Sequence, residues 1–436
     1  MKKAFDLEKY LSLFKRELTE NLLPFWMSRC LDAENGGYLN CFTNDGSKLI
    51  STDKYTWSQG RFLWMFSRLA TIESDLFGEA QRAEFLSYAE KGKDFLLKHV
   101  LMGKEDYRCV FLTDAAGSPK TVEGHRGYDL SISADCFVVM GFAAYARAAG
   151  DREAWEFAKR LGESVWERYR SDCYRSLPYP VPAGYLTHAK PMILTNMCCE
   201  MYRAAERHEP SYKEELLGRI EICHREVFEI FADREGLIHE FRHADGKDSR
   251  ELFVEHINPG HTLEDMWFQW EASEILGCDR YKKQIERIAL ATMERGWDAE
   301  YGGFYHFVPC GGFEKEYDTQ GTEDNPQLRL VLDDFGSKLW WVHSEAVYTA
   351  LLMLIKTENR AFLHWLERIV SYTFATFPNP DRSVGEWIQI RTREGKPQDK
   401  VVALPVKDPY HIIRNLLLAI ELLEKEKGER YEQSAF

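Results

Sequence analysis

Two short segments of this chain nearly repeat each other and carry residues suited to moving protons. Asn258-Pro259-Gly260-His261 and Asp408-Pro409-Tyr410-His411 each open with a residue that caps helices well, followed by a proline suited to the first helical position. Both put a histidine at the third helical position, and the two lie about 150 residues apart. Each ring then sits near the positive end of a helix dipole, which favours the neutral imidazole that accepts a proton. Either segment alone is also what an ordinary capped helix start looks like. The pairing is the signal: it predicts two matched proton carriers facing one cavity. Their neighbours differ, because Glu264 follows His261 by three residues and Arg414 follows His411 by three, a spacing that shares a helix face. Glu264 is expected to hold a protonated His261, and Arg414 to disfavour charge on His411, so His411 should have the lower pKa.

The elements that must position this pair are helices. Amphipathic periodicity predicts twelve, over 7–30, 57–72, 79–100, 132–149, 152–169, 191–206, 213–231, 259–276, 281–295, 338–356, 361–376 and 409–424. A turn signature recurs between them. Asp32-Ala33-Glu34-Asn35-Gly36-Gly37-Tyr38 returns as Asp298-Ala299-Glu300-Tyr301-Gly302-Gly303-Phe304, with weaker echoes at Asp233, Asp114 and Asp381. Each ends a helix, turns on glycine and enters a short extended stretch, as at 109–113 and 387–390. Repeated helical hairpins build either an open solenoid or a closed toroid. Twelve helices make six hairpins, and the irregularity of the repeats suits an enzyme. The expectation is therefore an all-α (α/α)6 barrel, one catalytic domain over 1–436, with short β-hairpin loops at one end. The proline-rich segment around 178–182 and the stretch 311–334 are expected to be loops over the barrel mouth.

Composition narrows the partners. Net charge is −14 and no basic run interleaves with aromatics, which argues against nucleic acid and anionic membrane. The N-terminal residues lack a signal-peptide pattern, and no apolar segment reads as a membrane span, so a cytoplasmic location is expected. Ten cysteines without a Cys-x-x-Cys pair signal neither a zinc site nor a disulfide framework. No metal or cofactor is expected. Aromatics make up 14% of the chain, and several, such as Tyr55, Trp57, Trp340, Trp341 and Trp387, stand beside polar residues. Sugar sites look like this, since sugar faces stack on aromatics while hydroxyls need polar partners. Large helix–helix interfaces consume aromatics too.

The segments 54–61 (Lys-Tyr-Thr-Trp-Ser-Gln-Gly-Arg), 258–264 (Asn-Pro-Gly-His-Thr-Leu-Glu), 296–298 (Gly-Trp-Asp), 338–345 (Lys-Leu-Trp-Trp-Val-His-Ser-Glu) and 410–414 (Tyr-His-Ile-Ile-Arg) resemble the N-acylglucosamine 2-epimerase family, also known as renin-binding proteins. Cellobiose 2-epimerases and mannose isomerases are relatives. The resemblance covers nearly the whole chain and implies an (α/α)6 barrel. It implies that His261 and His411 are the catalytic pair, removing and returning the C2 proton of an opened sugar through an enediolate. Arg61 would stabilise the enediolate oxygen, and Glu264 would orient His261 or assist ring opening. Tyr55, Trp57, Trp341, His343, Glu345, Arg414 and Asn196 would complete the sugar site. Asn196 stands where isomerases and cellobiose epimerases carry a third histidine, which favours the N-acetylglucosamine/N-acetylmannosamine pair or a related monosaccharide. An aldose–ketose isomerase is the close alternative. A glycoside hydrolase using Glu264, Glu345 or Glu386 is a more distant one, and a non-catalytic interaction protein ranks last. Some members respond to nucleotides and many are homodimers; no Walker-type loop occurs here, and a homodimer is permitted. His188 is expected on a loop surface. His99, His125, His208, His224, His239, His243, His256, His306 and His364 fall in no motif and are not expected at the site.

Overall fold

The computed structural model describes residues 5–247, 249–319 and 321–434; residues 1–4, part of the N-terminal stretch read above, lie outside it. Helix α1 (Leu7–Arg16) runs through a π-helical stretch into α2 (Leu23–Arg29). Hairpins follow: α3 (Thr56–Ala70) with α4 (Glu79–His99), α5 (Ile132–Ala149) with α6 (Arg152–Arg170), α7 (Ala189–His208) with α8 (Lys213–Glu226), and α9 (Pro259–Leu276) with α10 (Lys282–Gly296). A short α11 (Pro326–Asp334) precedes the last elements, α12 (Trp340–Thr357) paired with α13 (Ala361–Thr376), and α14 (Tyr410–Ser434), which packs on α1. Around the ring α3, α5, α7, α9, α12 and α14 each touch the next, and α14 closes on α3. These six form the inner wall of an (α/α)6 barrel, and their hairpin partners form the outer wall.

The two walls differ in sequence for a physical reason. An outer helix buries one stripe, as α6 does with Trp155, Ala158, Leu161 and Val165. An inner helix is enclosed on most sides, and α5 is buried without a break from Ile132 to Ala146. That enclosure corrects one expectation. The 18 residues Ile132–Ala149 are long and apolar enough to cross a membrane, and 83% of them are buried inside the barrel. Close contact between α3 and α5 rests on two glycines: a Cβ on Gly60 would strike the backbone of Phe137, and one on Gly141 would strike the backbone oxygen of Gly60. The stretch 311–334 also departs from the expected plain loop, since Asn325 caps α11 by accepting from Gln327 N at 2.8 Å.

Short antiparallel pairings lead into the inner helices. Lys54–Tyr55 pairs with Leu112–Thr113 before α3, Tyr185–Thr187 with Phe241–His243 before α7, His256–Ile257 with Val308–Pro309 before α9, and Lys338–Leu339 with Ile390–Arg391 before α12. They gather the helix N-termini at one end of the barrel. The repeated turn braces this end. Asp32 Oδ1 accepts from the amides of Glu34 and Asn35, and Oδ2 accepts from Lys54 Nζ at 2.7 Å. Asp298 Oδ1 likewise accepts from Glu300 and Tyr301, and Oδ2 from Lys338 Nζ at 3.0 Å. Paired glycines follow with positive φ, 77° and 71° at Gly36 and Gly37 and 76° and 71° at Gly302 and Gly303. Each turn is pinned by the residue five places after its lysine. Gln59 Oε1 accepts from Tyr38 N at 2.8 Å, and His343 Nε2 accepts from Phe304 N at 2.9 Å.

Asp298 and Lys338 are both fully buried, and Arg393 Nε adds a second cation at 2.8 Å. Removing the carboxylate strands the fully buried Lys338, while Arg393, a third exposed, keeps Glu300 at 3.1 Å. Asp298→Ala should therefore cost about 3–5 kcal/mol in urea unfolding, and a loss below about 1 kcal/mol would contradict this bracing role.

Candidate active site

The inner helices bring their first turns to one cavity. Its wall includes Trp57 and Arg61 from α3, Ser133 and Phe137 from α5, Lys190 and Asn196 from α7, His261 and Glu264 from α9, Trp340 and Trp341 from α12, and His411 and Arg414 from α14. The twin helix starts form as their sequence dictates. Asn258 Oδ1 accepts from His261 N at 3.2 Å, and Asp408 Oδ1 accepts from Tyr410 N at 3.1 Å. The residue that differs within the motif has a role in each. A Cβ at Gly260 would overlap the Trp341 ring, so glycine admits that indole against α9. Tyr410 instead packs edge-on to Trp64 and Phe137 and lies under the Arg61 guanidinium. Trp341 packs against both histidines, its ring centroid 5.3 Å from that of His261 and 5.5 Å from that of His411.

The histidines have different partners from those the spacing suggested. His261 Nδ1 lies 2.9 Å from Glu240 Oε1, and Glu240 immediately precedes the strand Phe241–His243 that follows α8. Burial alone would lower the His261 pKa, but the Glu240 charge and hydrogen bond, with Glu264 and Asp265 behind, leave it raised. Glu240 is correspondingly pulled down to about 2, its own burial outweighed by His261. This overrides the helix-dipole expectation of a neutral ring at that position. His411 follows the opposite course. Burial pushes it down to about 3, with Arg61 and Arg414 adding to the effect against the pull of Glu264. Its Nδ1 lies 2.7 Å from Glu345 Oε1, which directs Nε2 toward Asp408 and the cavity.

Glu264 does not hold His261. It forms an ion pair with Arg414, whose Nη2 also lies 2.5 Å from Glu345 Oε1. Glu264, Glu345 and His411 place ligand atoms within 4.8 Å of one another, a geometry a metal ion could use. Arg414 Nη2 bonds both carboxylates, so the cation of this cluster is the guanidinium. Arg61 Nη1 is 2.7 Å from Asp408 Oδ2, and its guanidinium lies 4.1 Å from the Phe137 ring centroid.

Three predicted site residues stand away from the wall. Tyr55 packs edge-on to Phe111 in a separate apolar cluster. His343 donates Nδ1–H to Leu339 O at 2.7 Å and uses Nε2 on the repeated turn, which leaves nothing for a sugar. Glu345 lies fully buried behind the wall, holding His411, Arg414 and Trp267 Nε1. Trp387 is buried on Phe377. His188 is no surface residue: it is fully buried with Nε2 2.7 Å from Asp265 Oδ2. His306, discounted from sequence, lines the cavity with Nδ1 3.3 Å from Asp334 Oδ2.

Residues 37–415 match the family model for N-acylglucosamine 2-epimerase (GlcNAc 2-epimerase). The chain belongs to the N-acylglucosamine 2-epimerase family. It is accordingly a carbohydrate epimerase or isomerase. The N-acylglucosamine 2-epimerase of Mus musculus is 28% identical over 421 residues, spanning 95% of this chain and 92% of the mouse protein. Among solved structures, a cellobiose 2-epimerase from Bacillus thermoamylovorans aligns with a TM-score of 0.74 at 20% identity, over 96% of this chain and all of that one. A D-mannose isomerase aligns at 0.72 and 16% identity, over 97% of this chain and all of its own. These two share the (α/α)6 barrel.

In this family member the missed residues Glu240 and His306 had a signal in the repeated turns. Bridges pair Leu31 with Tyr38, Ala232 with Ile238, Trp297 with Phe304, and Pro378 with Trp387. Two residues beyond the second partner stand Asn40, Glu240, His306 and Gln389. All are buried and polar, and each is bonded at the barrel mouth.

The Glu240 contact makes a direct prediction. In an NMR titration of the imidazole protons, His261 should titrate above the ordinary histidine range near 6.5 and His411 far below it. Glu240→Gln removes the anion but leaves the burial, so His261 should then fall below its ordinary value. An unchanged His261 titration would show that Glu240 does not set its charge.

Proposed function

We propose that this protein is a sugar 2-epimerase interconverting N-acetylglucosamine and N-acetylmannosamine, or a closely related monosaccharide pair. The observation that carries this reading is the pair of oppositely poised histidines flanking Trp341. With the opened sugar stacked on Trp341, one imidazole reaches each face of C2. His411 is neutral at physiological pH and takes the C2 proton through Nε2. Glu345 at its Nδ1, with Glu264 nearby, stabilises the imidazolium as it forms. His261, kept protonated by Glu240, returns a proton to the other face. Charge builds meanwhile on the sugar oxygen as the enediolate forms. Arg61 and the converging helix N-termini offer positive potential there. After turnover His411 holds the proton and His261 lacks one, so exchange with solvent resets the pair.

Asn196 supports the epimerase over the isomerase reading. Its amide faces the cavity and can bond an acyl or hydroxyl oxygen, but it cannot carry a proton to C1. The hydrolase reading is disfavoured because Glu264 and Glu345 are locked on Arg414, while Glu386 is buried against Lys407 at 2.5 Å.

The test is incubation of N-acetylglucosamine, N-acetylmannosamine and neutral hexoses in deuterated water with product analysis by NMR. The expected product of an N-acyl sugar is its C2 epimer carrying deuterium at C2, and His261→Ala or His411→Ala should lower the rate about 10²–10⁴-fold. A ketose labelled at C1 would assign the isomerase instead. Turnover of none of these sugars would overturn the reading.

A further inference from the structure

Lys190 carries a charge that the chemistry proposed above leaves unused. It lies in the first turn of α7, is 6% exposed, and lines the same cavity as the two histidines. Its hydrogen bond goes to Ser133 Oγ at 3.0 Å, which leaves two of the three ammonium donors open. Among the described residues no carboxylate lies within ion-pair distance of its Nζ. Glu240, the carboxylate whose field reaches it, is committed to His261 at 2.9 Å. Other cations of the wall have their own anions: Arg61 has Asp408, and Arg414 has Glu264 and Glu345. Burial without a counter-charge pushes the Lys190 ammonium down to about 8. A buried cation of this kind is costly unless a ligand brings the missing anion.

The ring order says which part of the ligand that is. His261, Trp341, His411 and Arg61 belong to α9, α12, α14 and α3, four consecutive inner helices that surround the reacting carbons. Lys190 and Ser133 belong to α7 and α5, the remaining arc. Lys190, Thr187 and Ser176 also line a second cavity beyond this arc, where Arg126 and Arg175 stand. We propose that Lys190, with Ser133, is a specificity-determining subsite for an anionic oxygen group on the sugar, a carboxylate or phosphate at the end remote from C2. The proposal rests on the reading that this cavity binds a sugar, and it names the substrate class within that reading.

The experiment measures kcat/KM and calorimetric binding for N-acetylglucosamine, its 6-phosphate and the matching uronate, with wild type, Lys190→Met and Lys190→Arg. Wild type should favour at least one charged sugar by about tenfold or more, the scale of a charge-assisted hydrogen bond. The phosphate and uronate arms separate the two sources of charge. Lys190→Met should erase that preference and Lys190→Arg should retain part of it. The preference should also fade as pH rises through about 8, where the ammonium loses its proton. Equal binding of charged and neutral sugars by wild type, or a preference that survives in Lys190→Met, would overturn the subsite. Lys190-dependent binding of a charged sugar without epimerisation would support the subsite and overturn the epimerase reading.

Discussion

The site depends on one buried guanidinium. Arg414 lies 1% exposed at its side chain between Glu264 and Glu345, with its charge over the Tyr410 and Trp267 rings. The three charges come from α14, α9 and α12, consecutive members of the inner ring. Taking them out of water is expensive, and their mutual attraction repays it only while all three are present. The cluster therefore ties together the arc of the barrel on which both histidines stand. It also fixes the His411 ring, because Glu345, bonded to Arg414, is the group that takes its Nδ1.

The same arrangement makes the two histidines unlike. They share a cap, a proline and a place in the first turn, and a dipole of the same sign acts on both. What separates them is the company each keeps in the folded barrel. His261 faces Glu240, which among the described residues pairs with no arginine. His411 is driven toward the neutral form by burial, with Arg61 and Arg414 adding to it, since the Glu345 it faces is also bonded to Arg414. Nearly identical local sequence thus yields one ring disposed to hold a proton and one disposed to be without it. A reaction that takes a proton from one face of a carbon and returns one to the other needs that inequality at the start of each turnover.

Much of this was legible in the sequence because it is local or repeated. Helix periodicity, the capped starts and the Asp-Ala-Glu turns are written in neighbouring residues. The hairpin count that follows from them is the barrel. The order of the two histidine pKa values was also legible, through Arg414 three residues from His411. The partners were not, because a contact across the ring leaves no mark on spacing. Glu264 lies on the expected face of α9 yet turns to Arg414, and the acid that holds His261 arrives from the connection after another hairpin, just ahead of the strand Phe241–His243. His343 belongs to one of the family-like segments, yet it is the counterpart of Gln59, a brace for the turn. Lys190 passed unnoticed because a lone lysine in a helix reads as a solvated side chain until its burial is known.

In the proposed reaction two different residues hold the proton on the two faces of one carbon. The most direct measurement is solvent exchange at C2 without net epimerisation, followed by NMR in deuterated water from each pure epimer with each single-histidine variant. His261→Ala and His411→Ala should each still wash deuterium into one epimer, a different one for each variant, while forming little of the other. Exchange from the same epimer in both variants, or full epimerisation with either histidine absent, would contradict the two-residue reaction.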